Sequence, residues 1–368
     1  MHIQKVALNN FRNISEADLT LSQGMNVFYG NNAQGKTNLL ESLYYCATGR
    51  SHRAGRDKDL IKIGEKTTKA KIFIKNENGL TDDITFEISK DNKQLWVNGG
   101  LIKRLGELFG HLVCVVFSPE DLALVKAGPQ LRRRFMDMEL CQLYPAYYYN
   151  LRMYYKVMKQ RNNLLREISI NPKLIETIDV WDEQLAHYGK DIITTRRNFI
   201  EKISKIASKN QQEITDGNED LEIIYKNNVE SDTFLEKLIK SRDFDIARRQ
   251  TSHGIHKDDV DFKIGGKDGR IFASQGQQRT AALSIKLAEI ELILEEKNHM
   301  PVLLLDDILS ELDATRQKFL MKKIEGMQTI ITMTGAESAF NAFLSNYQSQ
   351  ENTSIFKVEN GNFLPENT

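Results

Sequence analysis

Residues 26–46 read NVFYGNNAQGKTNLLESLYYC. A short apolar run, NVFY at 26–29, leads into GNNAQGKT at 30–37, and NLLESLYYC follows as a helix. The central eight residues match the phosphate-loop pattern in full, in the strand–loop–helix setting it requires. Chemistry explains the spacing. Backbone N–H groups wrap a phosphate chain, and glycines at 30 and 35 permit the tight approach. The following helix contributes its positive N-terminal end. Lys36 is the cation for the β- and γ-phosphates, and the Thr37 hydroxyl is a Mg²⁺ ligand. Gly30, Asn31, Asn32, Ala33, Gln34, Gly35, Lys36 and Thr37 are therefore the expected ATP site. A plain tight turn before a helix is the competing reading, and the flanks argue against it.

A second motif lies far downstream. Residues 301–313 read PVLLLDDILSELD. The run 302–305 predicts a fully buried strand, and two carboxylates stand at its C-terminal end. In an open α/β sheet that end faces the ligand crevice. Asp306 fits the acidic residue that holds Mg²⁺ through its water shell. Asp307 fits the carboxylate that polarises an attacking water. A solvated Asp pair closing a strand is the alternative, weakened by the presence of a phosphate loop. One small domain would keep the two motifs closer, so an insertion is expected between them.

The texture of the chain agrees. HIQKVALNNF at 2–11 alternates moderately, and KAKIFIKN at 69–76 and DITFEISK at 83–90 alternate at strand period. NENG at 76–79 predicts a hairpin turn between the last two. From Pro119 to about Arg249 the apolar residues recur at helical spacing, as in Leu151, Tyr154, Tyr155, Met158 and Leu164, Leu165, Ile168. Strand texture returns in DVDFKI and GRIFA, followed by a helix at 276–298 and strands at 302–305 and 329–333. The expected domains are 1–117 plus 250–368 as one discontinuous unit and 118–249 as an inserted helical one.

Composition narrows the class. Fifty Lys and Arg balance fifty Asp and Glu over 368 residues, which excludes a uniformly basic coat but not a local basic patch. Cys46, Cys114 and Cys141 lie far apart, excluding a disulfide scaffold or zinc-finger framework and fitting a reducing cytosol. The N-terminal MHIQKVALNNFRN turns polar before a signal-peptide core can form. The longest apolar runs, LVCVVF at 112–117 and VLLL at 302–305, fall short of the about 20 residues a bilayer span needs. A soluble, cytoplasmic chain with no membrane partner is expected.

Residues 273–279 read ASQGQQR and open a helix, with Ser274 a good N-cap. A helix start with Ser and Gly backbone is an anion site. The phosphate loop already cradles one side of a nucleotide. A second such helix is useful if it closes on the γ-phosphate held by another subunit, which predicts an ATP-dependent homodimer.

The ordered set of motifs ends with Ser310-Glu311-Leu312-Asp313 and is similar to SMC-like ABC-type ATPases. Its details resemble the RecF family, in NNFRN at 9–13, GNNAQGKTNLLE, RDKDLI at 56–61, VVFSPEDL, LRRRFMD, KQRNNLLRE, WDEQLAHYG, FASQGQQRTAALSIKLAE and LLLDDILSELD. That resemblance implies an α/β fold, a P-loop ABC-type (SMC-like) ATPase head with an inserted helical lever-arm domain. It implies ATP and Mg²⁺ at Gly30 to Thr37, Asp306 beside the metal, and Asp307 where most ABC-type enzymes carry a catalytic Glu. Ser274, Gly276 and Gln277 would contact the partner's γ-phosphate, Ser310 to Asp313 would form a dimer-contact loop, and Arg12 would lie near the nucleotide. It further implies an ATP-driven dimer that clamps DNA at single-strand/double-strand junctions. With RecO and RecR it would help load RecA at gaps, a slow ATPase acting as release timer. The chain departs from the pattern in three places. Thr334, in TMTG, stands where many ABC ATPases have a switch histidine. Glu120 and Asp121 stand where a glutamine loop is expected. GIHKDD at 254–259 replaces GPHRDD, leaving His256 as either a functional or a structural residue.

The segment 130–166 is locally basic, with Arg132, Arg133, Arg134, Arg152, Lys156, Lys159, Arg161 and Arg166, and tyrosines interleave with it. Such clusters bind phosphates by releasing counterions, and aromatics stack on bases at strand ends. The competing reading is that the tyrosines pack the helices and the arginines form ion pairs. Two other functions share the phosphate loop. One is the ATP-binding energy module of a membrane transporter, and the other a small-molecule kinase, which has no use for the signature helix.

Overall fold

The computed structural model describes residues 1–76, 78–121, 124–334 and 352–366. Its contacts divide the chain into two compact units, residues 1–122 with 289–368, and residues 123–288.

The first unit contains β1 (His2–Phe11), β2 (Ile14–Thr20), β3 (Met25–Tyr29), α1 (Lys36–Thr48), β4 (Thr67–Lys75), β5 (Thr81–Ser89), β6 (Lys93–Val97), β7 (Gly100–Leu101) and β8 (Cys114–Phe117). The second contains α2 (Pro129–Leu143), α3 (Pro145–Ile168), α4 (Ile178–Ile214), β9 (Leu221–Lys226), α5 (Phe234–Lys240), α6 (Arg242–Arg248), β10 (Asp259–Ile264), β11 (Lys267–Asp268) and the start of α7 (Gln275–Lys297). The chain then adds β12 (Val302–Asp306), α8 (Ala314–Lys323), β13 (Thr329–Met333), β14 (Ser354–Glu359) and β15 (Asn362–Glu366) to the first unit.

Two sheets build that unit. One is antiparallel, in the order β2-β1-β4-β5-β6-β7. Its period-two strands bury one face, as Ile72, Ile74, Ile84 and Phe86 do. The other runs β15-β14-β3-β13-β12-β8, parallel except for β15. Strands β3 and β12 are buried along their whole length, which is why they read as apolar runs without alternation. Helix α1 touches strands of both sheets, so nearly every residue from Leu39 to Thr48 is buried, even Glu41 and Ser42. Parallel order puts the C-terminal ends of β3, β12 and β13 side by side, which gathers Gly30, Asp306 and Thr334 there.

In the second unit α3 and α4 pack along one another, and β11-β10-β9 forms a small sheet. Strand β9 breaks the helical reading of 118–249. It pairs antiparallel with β10, Ile223 opposite Phe262. That pairing also draws residues 250–288 into the second unit, whereas the sequence groups them with the ATPase segments. GRIFA is a turn after the short β11, not a strand. Glu77, within the expected NENG turn, and Leu122 of SPEDL lie outside the described residues. Among the described residues no helix is long and apolar enough to cross a membrane.

Candidate nucleotide site

The phosphate loop is held from beneath by segments far away in sequence. Gly30 has φ +150°, and a Cβ there would stand 2.4 Å from the carbonyl oxygen of Val358 on β14. Gly35 has φ +113° and lies against the Asn13 amide, where a Cβ would stand 2.9 Å from its Oδ1. Both positions demand glycine, by backbone angle and by space. Asn13 Nδ2 donates to Ala33 O at 3.1 Å, and the turn between β14 and β15 donates Asn360 N to Gln34 Oε1 (2.6 Å) and Gly361 N to Gln34 O (2.8 Å). The loop is therefore clamped on both flanks in an open curve.

Lys36 folds back over that curve, its Nζ donating to Gly30 O at 2.7 Å and Asn31 O at 2.6 Å. Burial pulls its ammonium below the ordinary pKa, against the attraction of Asp307 and Asp306. The cation thus spans the mouth of the loop, where polyphosphate oxygens would sit.

Thr37 Oγ1 donates to Asp306 Oδ1 at 2.7 Å, and Thr332 Oγ1 donates to the same oxygen at 2.8 Å. Hydroxyl and carboxylate form an oxygen pair of the kind Mg²⁺ prefers, with few protein ligands and room for phosphate and water. The glycine cradle and this pair fit Mg²⁺–ATP.

Asp307 sits in the left-handed region at φ 51°, a strained position for a residue other than glycine. Its N–H donates to Thr332 O (3.2 Å) and Oγ1 (3.0 Å). Its carboxylate accepts from Thr334 N at 3.1 Å and from the Thr334 hydroxyl, whose Oγ1 lies 2.9 and 2.7 Å from the two carboxylate oxygens. Thr334, which replaces the switch histidine, is bonded directly to the candidate catalytic carboxylate. No motif signals this partnership, because it forms only when β12 and β13 pair.

Arg12 is turned to another task. Its Nε and Nη2 grip Glu41 at 3.0 and 2.9 Å, and Nη1 donates to Asp59 O at 2.7 Å. Burial alone would raise the Glu41 carboxyl, but the Arg12 and Ser51 hydrogen bonds prevail and hold it below the ordinary value. Arg12 therefore ties α1 to the 57–60 loop.

Ser274, Gly276 and Gln277 belong to the second unit. Ser274 N donates to Gln277 Oε1 at 2.9 Å and Gln277 N to Ser274 Oγ at 3.3 Å, a reciprocal capping box. Ser274 and Gly276 are exposed. Ser310 Oγ donates to Asp307 O at 2.7 Å, and Asp313 caps α8 through Arg316 N at 3.0 Å.

The basic segment is largely reassigned. Arg161 is fully buried, bonding Asp182 at 2.6 Å and Asp245 at 2.7 Å, both themselves buried. Arg132 is 4% exposed and bidentate on Asp259, and Arg133 donates to Asp258 O. A buried paired guanidinium cannot reach a DNA phosphate, so Arg161 and Arg132 leave the DNA candidates. Arg134, Arg152, Lys156 and Lys159 are exposed. Tyr147 and Tyr154 are core residues, while Tyr149 and Tyr155 reach solvent. The GIHKDD segment joins the same network. Arg196 bonds Asp258 (2.8 Å) and Asp137 (2.7 Å), and His256 bonds Tyr154 Oη (3.0 Å) and Thr251 O (3.1 Å). His256 is a structural histidine here.

Fold and site define the class, an SMC-like ABC-type ATPase head. Within that class the chain belongs to the RecF family: the RecF/RecN/SMC N terminal domain matches residues 2–361, and RecF proteins match nearly end to end. The DNA replication and repair protein RecF of Lachnoclostridium phytofermentans is 44% identical, covering 98% of this chain and 99% of its own. That of Lachnospira eligens is 45% identical over the whole of both chains. A solved structure of the recombination mediator protein RecF-ATP in the RecFOR pathway superposes with a TM-score of 0.91 at 36% identity, covering 100% of this chain and 98% of that one. An Smc head domain from Pyrococcus furiosus, at 17% identity and a TM-score of 0.57, shares the fold.

Proposed function

We propose that this protein is an ATP-dependent, DNA-binding recombination mediator. The observation that carries the reading is the joining of Thr37 to Asp306 beneath a clamped phosphate loop, in a chain that belongs to the RecF family. Lys36 and the loop N–H groups would bind the triphosphate, and Thr37 and Asp306 would hold Mg²⁺. The bound metal supplies charge neutralisation for the β- and γ-phosphates. Asp307, oriented by Thr334, would accept a proton from water as the water oxygen bonds the γ-phosphorus and the bond to the β–γ bridging oxygen breaks, ADP leaving, in a slow hydrolysis.

The exposed Ser274–Gly276 backbone supports a role in trans, closing on the γ-phosphate of a second copy, with Ser310 to Asp313 at the dimer contact. Two subunits closed on ATP would present Arg134, Arg152, Lys156 and Lys159 to DNA, and hydrolysis would release it. Clamping at single-strand/double-strand junctions, and work with RecO and RecR to load RecA in the cytoplasm, complete the reading. The RecFOR description of the solved relatives supports it. Nothing in the fold or the relatives favours a transporter module. Lys36→Ala tests the core of the reading. Nucleotide binding should be abolished, and normal ATP affinity would sink the phosphate-loop assignment.

A further inference from the structure

Strand β13 carries a hydroxyl to which no motif assigns a role. Thr332 is 1% exposed and stands directly opposite Asp306 in the parallel pairing of β13 with β12. A hydroxyl taken so far from water costs free energy unless it is bonded. This one is bonded twice. Its Oγ1 donates to Asp306 Oδ1 at 2.8 Å and accepts from the Asp307 N–H at 3.0 Å. A hydroxyl has one proton to give, and a carboxylate oxygen at 2.8 Å outcompetes the Leu305 carbonyl at 3.5 Å for it. The lone pairs remain for Asp307. One buried atom therefore touches both the candidate metal carboxylate and the candidate base.

The two contacts constrain different things. Asp306 Oδ1 also accepts from Thr37 at 2.7 Å, so two hydroxyls on one oxygen fix the turn of that carboxylate. Asp307 has φ 51°, and its N–H is shared between Thr332 Oγ1 and, at 3.2 Å, Thr332 O. A left-handed residue other than glycine persists only where its surroundings hold it. Thr332 holds the backbone from which the Asp307 side chain departs, while Thr334 holds the carboxylate at its far end. Partners one layer out orient the groups that meet a metal or a substrate.

We propose that Thr332 is a positioning residue for both carboxylates: through one hydroxyl it orients Asp306 for Mg²⁺ and pins the backbone that presents Asp307 to water. The inference rests on the ATP-site reading above.

The test compares wild type, Thr332→Val and Thr332→Ser in the full chain, with thermal melting to verify folding. Valine keeps the shape without the hydroxyl, and serine restores the hydroxyl without the methyl group. Two quantities are read. One is the affinity for a fluorescent ATP analogue in Mg²⁺ and in EDTA. The other is the rate of single-turnover ATP hydrolysis at saturating Mg²⁺–ATP with duplex DNA present. In Thr332→Val the Mg²⁺-dependent gain in affinity and the hydrolysis rate should each fall by about tenfold, with affinity in EDTA unchanged. Thr332→Ser should recover most of both. A Thr332→Val protein equal to wild type in either quantity would overturn the proposal and leave the ATP site standing. So would a loss that serine fails to restore, since packing alone would then explain it. A wild type that binds no nucleotide would overturn the ATP-site reading itself.

Discussion

Thr37 Oγ1 donates a 2.7 Å hydrogen bond to Asp306 Oδ1, although the two residues are 269 positions apart. One residue lies in the first turn of α1 and the other closes β12, so the bond fastens the two halves of the discontinuous unit at the site. Thr332 Oγ1 supports the same oxygen from the neighbouring strand. Asp306→Asn keeps the shape but removes the charge. It should weaken Mg²⁺-dependent nucleotide binding about tenfold or more, with the melting temperature little changed. Titration in Mg²⁺ and in EDTA checks this. An unaltered Mg²⁺ dependence would remove Asp306 from the metal site.

Ser274 and Gln277 complete each other's hydrogen bonds, yet Ser274 remains exposed. Ser274→Arg should leave ATP affinity intact and block ATP-induced dimerisation. Light scattering with and without ATP distinguishes the outcomes, and an unchanged ATP-dependent dimer would refute the role in trans.

The basic residues of α3 divide by burial. Lys156→Ala with Lys159→Ala should lower DNA affinity uniformly across sequences. The same pair should flatten its salt dependence by about one unit for each phosphate no longer neutralised. Arg161→Ala leaves the buried Asp245 carboxylate without its guanidinium, while Asp182 keeps Arg242, and should cost about 3–5 kcal/mol of stability. Chemical denaturation and DNA titration together separate these effects. A stable Arg161→Ala protein with weakened DNA binding would contradict the division.

His256 gives a pH signature. Burial drives its imidazole down to about 4 from the ordinary 6.5. The unfolded chain therefore takes up this proton first. The stability is fully present above pH 6.5 and is lost as pH falls towards 4, by about 3 kcal/mol. His256→Gln should flatten the stability profile in that window. A profile identical to wild type would show that another group governs the acid limb.

Much of the site is legible in the sequence because its signals are local. Lys36, Thr37, Asp306 and Asp307 each sit where an apolar strand ends or a helix begins, and short-range patterns report such places. The clamp is not legible. Asn13, Val358 and Asn360 act on the loop largely through backbone atoms or a single amide, and backbone hydrogen bonds leave no motif. Arg161 misleads because its partners lie 21 and 84 positions away. Only the packing of α3 with α4 and α6 turns a basic residue into a core one. Strand β9 is hidden among helices because LEIIYK becomes a strand only through its pairing with β10.

The central claim, a nucleotide-driven clamp on DNA, is tested most directly by sedimentation of the purified protein with ATP and Mg²⁺. The runs are made with and without a gapped duplex, at two salt concentrations. The predicted result is a dimer that forms only with ATP and holds the duplex more weakly at the higher salt. A monomer that binds ATP and ignores DNA under every condition would contradict it.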